Sequence, residues 1–298
     1  MLSKLIKHDF RALSRVLLPT QLAILAAAIL ATAGFAVNLR GSSSGLPGEG
    51  FAGLIRMIAS VLSAVMLIAV IAASILIAFI IFQRFYKNLM SDEGYLTFTL
   101  PVTTAELLWS KLITAVLWTA ISSVVLIICV NIFILFGTGR GFVNLDAYRA
   151  LFRFFGEAGR LIGARLLLPV AELLLFALVA TLFGILHVYL ALIIGGVVAH
   201  KRKLLAGIGF YFAINIGVSV LSTAVQAFTA NGLVNELVNM LNELTRRGWS
   251  ERTTLGVYNY VVNAVQPYFW SQLAFQTAVG AGFFLLSRYL LRSKLNLE

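Results

Sequence analysis

Charge is scarce in this chain. Of its 298 residues 12% are charged and 60% are apolar, whereas a soluble domain carries about 25% charged residues. So little polar surface cannot cover so large an apolar core in water, so the solvent of most of the chain is lipid. Cysteine is scarcer still. Cys129 stands alone inside an apolar run, which excludes an internal disulfide and a cysteine-based metal cluster. His8, His187 and His200 fall on separate stretches. With no His-Glu-x-x-His motif and no paired intramembrane acids, nothing supports hydrolysis or metal chemistry. A G-x-x-x-x-G-K-[ST] phosphate cradle is also missing, so any ATP chemistry belongs to another chain and this one is not read as an enzyme. Acids are outnumbered, leaving a formal charge of +11. Without a hydrophilic basic domain, membrane topology and anionic headgroups read that charge, not nucleic acid.

What remains is long apolar runs. About 20 apolar residues cross the hydrocarbon, and six windows qualify: about 18–37, 57–82, 112–136, 166–199, 204–228 and 267–287. The fold class is therefore an all-α integral membrane protein of six spans, with both termini on one side. The fourth window is overlong and must tilt or protrude. All seven lysines fall on the loops and tails that are cytoplasmic if the N-terminus is inside, and the short loop "HKRK" and the tail "SRYLLRSK" carry most weight. The expected orientation is N-in, C-in, in the cell membrane. Ala31-Thr32-Ala33 has the look of a signal-peptidase site, but residues 1–17 carry a helical pattern of their own and read as a retained anchor. In that segment Leu2, Leu5, Ile6, Phe10, Leu13, Val16 and Leu17 share a face opposite Lys4, Lys7, His8, Arg11 and Arg15. This is the pattern of an interfacial amphipathic helix. Asp9 interrupts the apolar arc, either paired with a basic residue of a partner protein or lying at the water edge.

The densest polar insert is "RFYKNLMSDEGYLTFTLPVTTAELLWSKL", residues 84–112. Arg84 and Lys87 suit the C-terminal end of the second helix. Asp92, Glu93 and Gly94 supply a stop, and Pro101 punctuates. Thr103-Thr104-Ala105-Glu106 is a capping box that starts the third helix. Between these signals lies "YLTFTL", short and boxed in, more like a rigid docking element than a passive loop. The stretch resembles the cytoplasmic signature of ABC-2 type transporter permeases through Glu93-Gly94, Leu96 to Leu100, Pro101, Thr103, Glu106-Leu107-Leu108 and Lys111. The opening "KLIKHDF" with "RALSRVLLP" is similar to the elbow helix of that family. Thr97 or Thr99 stands where many members carry a second acid.

The resemblance implies a permease subunit of an exporter, with two such subunits, as homodimer or heterodimer, and a separate ATP-binding cassette subunit. That partner would bind ATP and magnesium and dock on a coupling segment here comprising Asp92, Glu93, Gly94, Tyr95, Leu100, Pro101, Thr103 and Glu106. Cargo would be a peptide, an antibiotic or a lipid-like amphiphile. It also implies a re-entrant extracellular segment before the last span. Residues 231–266 fit that expectation: an amphipathic start, a break at "RRGWSER" and a short apolar return ending at Pro267.

Polar residues within the spans are the remaining candidates. Asn215, Ser219, Ser222 and Gln226 form one stripe on the fifth span, and Gln272 and Gln276 a shorter one on the sixth. Each stripe is either the lining of a translocation path or hydrogen-bonding glue between helices. His187 is a path candidate by its depth or a packing histidine. Glu172 and His187 lie ~22 Å apart along one helix and form no pair. The outer segment 138–165 places Arg140, Arg149, Arg153, Arg160 and Arg165 among aromatics, either receiving an anionic substrate or lying on headgroups. The rivals to the exporter reading are an ion-coupled secondary carrier, which should show repeats and paired intramembrane acids, and a non-transporting sensor or immunity subunit, which would not need the docking insert.

Overall fold

In a computed structural model of the protein, the described residues are 2–43, 51–90, 102–137, 167–199, 202–229 and 265–293, with scattered positions between 145 and 163 and between 237 and 260. Regular structure among them is entirely helical: α1 (Leu2–Ser43), α2 (Phe51–Met90), α3 (Thr104–Ile132) running into a π-helical turn (Phe133–Gly137), α4 (Leu167–Val198), α5 (Lys203–Thr229) and α6 (Gln266–Ser293). Six of these are long and apolar enough to cross a membrane. Helix is the forced solution for such runs, because hydrocarbon offers no partner to an unpaired amide. Side-chain hydroxyls obey the same rule. Thr32, Ser74, Thr114 and Ser122 each bond a carbonyl one turn back in their own helix, a local bond that leaves no polar group facing lipid. The coupling positions Asp92, Glu93, Gly94, Tyr95, Leu100 and Pro101 lie outside the described residues, as do most of 138–165 and of the expected re-entrant segment.

The chain divides into two compact units, Met1–Arg84 with Trp109–Arg153, and Phe85–Leu108 with Phe154–Glu298. In the first, α1 and α3 run parallel: Asp9 meets Lys111, Gln21 meets Ser122, and Phe35 meets Phe133. The buried positions Asp9, Leu13, Leu17, Gln21, Ile24, Ala28 and Ala31 recur every three to four residues along α1. They form one stripe. Two differences from the sequence reading follow. Residues 1–17 and the first span are one continuous helix, and Pro19 sits inside it. The arc expected at the acyl boundary is instead partly covered by protein at Asp9, Leu13 and Leu17. An acid in that arc finds its opposite charge on α3, and the pairing holds the face inward. Near the other end of this stripe, a Cβ on Gly34 would stand 2.9 Å from the Ala59 carbonyl oxygen of α2.

In the second unit α4 is the central element. Against α5 it is antiparallel, with His187 on Tyr211 and Gly195 on Gly207. Against α6 it is parallel: Glu172 meets Gln266, Phe176 meets Phe269, and Phe183 meets Phe283. The last turns of α2 also run parallel to it, through Phe85 stacked on Tyr189 and Met90 against Gly196. Within this unit the sequence neighbours α4 and α5 run opposite, and α2 and α6 run with α4, as expected of helices that cross hydrocarbon in turn. At 32 residues, α4 is ~48 Å long against a core of about 30 Å. Its buried residues, Ile185 to Gly196, lie in the second half, while Leu167, Leu173 and Leu174 in the first half are exposed.

The tightest crossing in this unit is between Gly195 and Gly207, where a Cβ on Gly195 would fall within the Gly207 backbone. Gly195→Val should therefore destabilise the protein by about 1–3 kcal/mol or more through overpacking. A Cβ on Gly209 meets nothing within 4 Å, so Gly209→Ala should hold or raise the melting temperature. Thermal melting of both variants in one detergent checks the contrast.

Candidate functional site

Helix α3 begins where the capping chemistry puts it. The Thr103 amide donates to Glu106 Oε2 at 2.9 Å, and the Glu106 amide donates to Thr103 Oγ1 at 3.2 Å. The Thr103 hydroxyl also lies 3.0 Å from Glu106 Oε2. This reciprocal bonding satisfies two amides that a helix start leaves without partners. It fixes the direction in which the chain leaves the preceding insert. Of the eight coupling candidates, Thr103 and Glu106 are the two that the structure describes.

Two turns further along α3 lies an arrangement that no local pattern revealed. Lys111 Nζ donates to Asp9 Oδ1 at 2.6 Å, and Ser110 Oγ lies 3.4 Å from Oδ2. Both charged side chains are more than nine-tenths buried. Next to them Phe10 stacks on Trp118 with ring centroids 4.9 Å apart, and Gln21 Nε2 donates to Ser122 Oγ at 3.0 Å. Asp9 thus lies neither against a partner protein nor at the water edge: it is buried and paired with a lysine of its own chain. Each residue was visible in the sequence; their pairing was not, because 102 positions separate them. At the opposite end of α3, Asn131 accepts a bond from the Tyr148 hydroxyl just before the π-helical turn. Such turns interrupt the regular ladder.

The two polar stripes part company. On α5, Asn215 and Ser219 are exposed, while Ser222 and Gln226 are half-buried and joined by a 3.0 Å bond from Gln226 Nε2 to Ser222 Oγ. This stripe lies on an outer face of its unit, beside exposed Phe212, Ile216 and Val220. On α6, Gln272 is buried and Gln276 half-buried. Gln272 Nε2 and Gln276 Oε1 have no hydrogen-bond partner among the described residues. His187 is buried as well, stacked on Tyr211 at 4.8 Å and flanked by Phe283 at 5.6 Å and Phe183 at 6.1 Å. Its Nε2, like Ser287 Oγ, has no hydrogen-bond partner among the described residues. A buried polar atom left unpaired costs about 1–3 kcal/mol, so these positions are expensive in an apolar bundle. Glu172 is held differently: Gln266 Nε2 donates to its Oε1 at 2.7 Å.

Chemically, the first unit presents a dry ion pair that ties the N-terminal helix to the third span. The second presents a seam of unsatisfied amide, imidazole and hydroxyl groups between α4 and α6. Breaking a buried pair from one side strands the other charge, at about 3–5 kcal/mol, whereas replacing both partners by apolar groups is often neutral. Lys111→Met should thus lower the melting temperature sharply. Combining it with Asp9→Leu should restore most of the loss, as measured in a double-mutant cycle by thermal unfolding.

No family model matches this chain, and no curated protein or solved structure matches it either.

Proposed function

We propose that this chain is the membrane-spanning subunit of an ATP-driven exporter, working with a separate ATP-binding cassette subunit that docks on the segment between α2 and α3. One observation carries the reading: the reciprocal capping box at Thr103 and Glu106. It closes an insert of otherwise turn-forming and acidic residues in a chain with only 12% charge. A connector that merely joins two spans has no use for a fixed helix start. A surface that must transmit a push does, because a capped helix moves as a rigid body. The ion pair between Asp9 and Lys111 supports the same reading, since it ties α1 to the helix that leaves the insert.

In this reading the insert, both termini and the basic "HKRK" turn face the cytoplasm of a cell membrane. Two copies, or one copy and a paralogue, enclose the path. The partner binds ATP and magnesium, and the cargo is a peptide, an antibiotic or a lipid-like amphiphile. The exposed stripe from Asn215 to Gln226 and the inner one at Gln272 and Gln276, with His187, are its candidate contacts.

Glu93→Lys with Gly94→Val should abolish the stimulation of ATP hydrolysis by cargo in vesicles containing both subunits, with the spans still folded by circular dichroism. Undiminished coupled transport would overturn the docking assignment. A cysteine at position 94, in a chain with Cys129→Ala, should react with a membrane-impermeant maleimide only in inside-out vesicles. Reaction in right-side-out vesicles would reverse the orientation.

A further inference from the structure

The seam between α4 and α6 holds more polar groups than its own contacts explain. Going along α6, Gln272 Nε2, Gln276 Oε1 and Ser287 Oγ are buried without a hydrogen-bond partner among the described residues, and His187 Nε2 joins them from α4. His187, Gln272 and Ser287 are each more than nine-tenths buried. The two glutamines stand about 6 Å apart along the helix, and Ser287 lies ~16 Å beyond Gln276. His187 enters between them, because its ring neighbour on α6 is Phe283, one turn before Ser287. Gly280 occupies the stretch between Gln276 and Phe283. A Cβ built there would meet Phe183 Cδ2 at 3.7 Å and nothing closer, so there is room for a methyl group, comparable in size to a water molecule.

We propose that this seam is a hydration site: bound water satisfies the amide, hydroxyl and imidazole groups and lets His187 Nε2 exchange protons with the aqueous phase. The chemistry fits water better than a larger ligand. The orphaned atoms include a donor in the Gln272 amide nitrogen, an acceptor in the Gln276 amide oxygen, and groups able to act as either in Ser287 and His187. A buried water makes two to four such bonds and needs little more than one probe sphere of space. The ring neighbours of His187 are Phe183 on its own helix, Tyr211 on α5 and Phe283 on α6. Among these Tyr211 is the one titratable side chain. Protonation of Nε2 takes a proton from a hydronium ion and returns water, so the step needs no other reactant. The proposal goes beyond the exporter reading and does not need it, since it concerns the isolated chain.

The test uses the full-length chain in lipid nanodiscs, labelled with nitrogen-15 at histidine, with His8→Gln and His200→Gln leaving His187 as the single probe. Magnetisation transfer from water to the imidazole should be seen, and the ring nitrogen shifts should respond to bulk pH. Gly280→Ala fits the space but takes the place of a water. It should cut the transfer several-fold while leaving the melting temperature unchanged. Ser287→Ala should weaken the transfer by about half. A wild-type imidazole with no water transfer and no response to pH overturns the proposal. Undiminished transfer in Gly280→Ala also overturns it, because water would then reach His187 by another route. If Gly280→Ala fails to fold, the wild-type titration and Ser287→Ala decide the matter.

Discussion

Everything in this protein follows from the absence of a hydrogen-bonding solvent around most of its length. In water an amide that loses its helical partner finds another; in hydrocarbon it finds none. Apolar runs as long as those from Phe51 to Met90 and Leu167 to Val198 therefore become unbroken helices. The hydroxyls of Ser74, Thr114 and Ser122 fold back on carbonyls of their own helices. The same condition decides what charges do. Asp9 and Lys111 are held together at 2.6 Å because neither has water as an alternative.

That condition also makes polarity a means of specifying which helix sits beside which. Apolar helices in lipid gain little from the hydrophobic effect on association, so close backbone approach and interhelical polar contacts decide partners. Both devices are present in both units. In the first, Gly34 brings α1 onto α2 while the ion pair and the Gln21–Ser122 bond set the register of α1 on α3. In the second, Gly195 and Gly207 bring α4 onto α5, while the Gln266–Glu172 bond and the aromatic ladder set α4 on α6. A shift of one residue in either register would strand polar groups in a place where stranding is costly.

The sequence makes some of this legible and hides the rest, for physical reasons. Six spans are readable because hydrocarbon thickness sets a length that a run of side chains either meets or misses. The start of α3 is readable because a capping box is complete within four residues. The Asp9–Lys111 pair is not, since both residues look like ordinary boundary charges until two distant helices are set side by side. Helical spacing shows that Asn215, Ser219, Ser222 and Gln226 share a face, but periodicity carries no information about what that face meets. On α5 it is an outer surface, while the glutamines of α6 turn inward. Pro19 invites a break between an interfacial helix and the first span, yet α1 runs through it. A proline removes one amide donor and crowds one preceding carbonyl, and the packing on either side, at Leu17 and Gln21, spans the defect.

That continuity has a bearing on how strain travels. From Asp9 to Phe35 the first helix is a single rod of about 39 Å, gripped near one end by the lysine of α3 and near the other by Phe133. A rod clasped twice by the same neighbour cannot swing freely at either tip. Any torque on its beginning is delivered to its far end or absorbed by bending, and the ladder is weakest at Pro19, where one rung is missing.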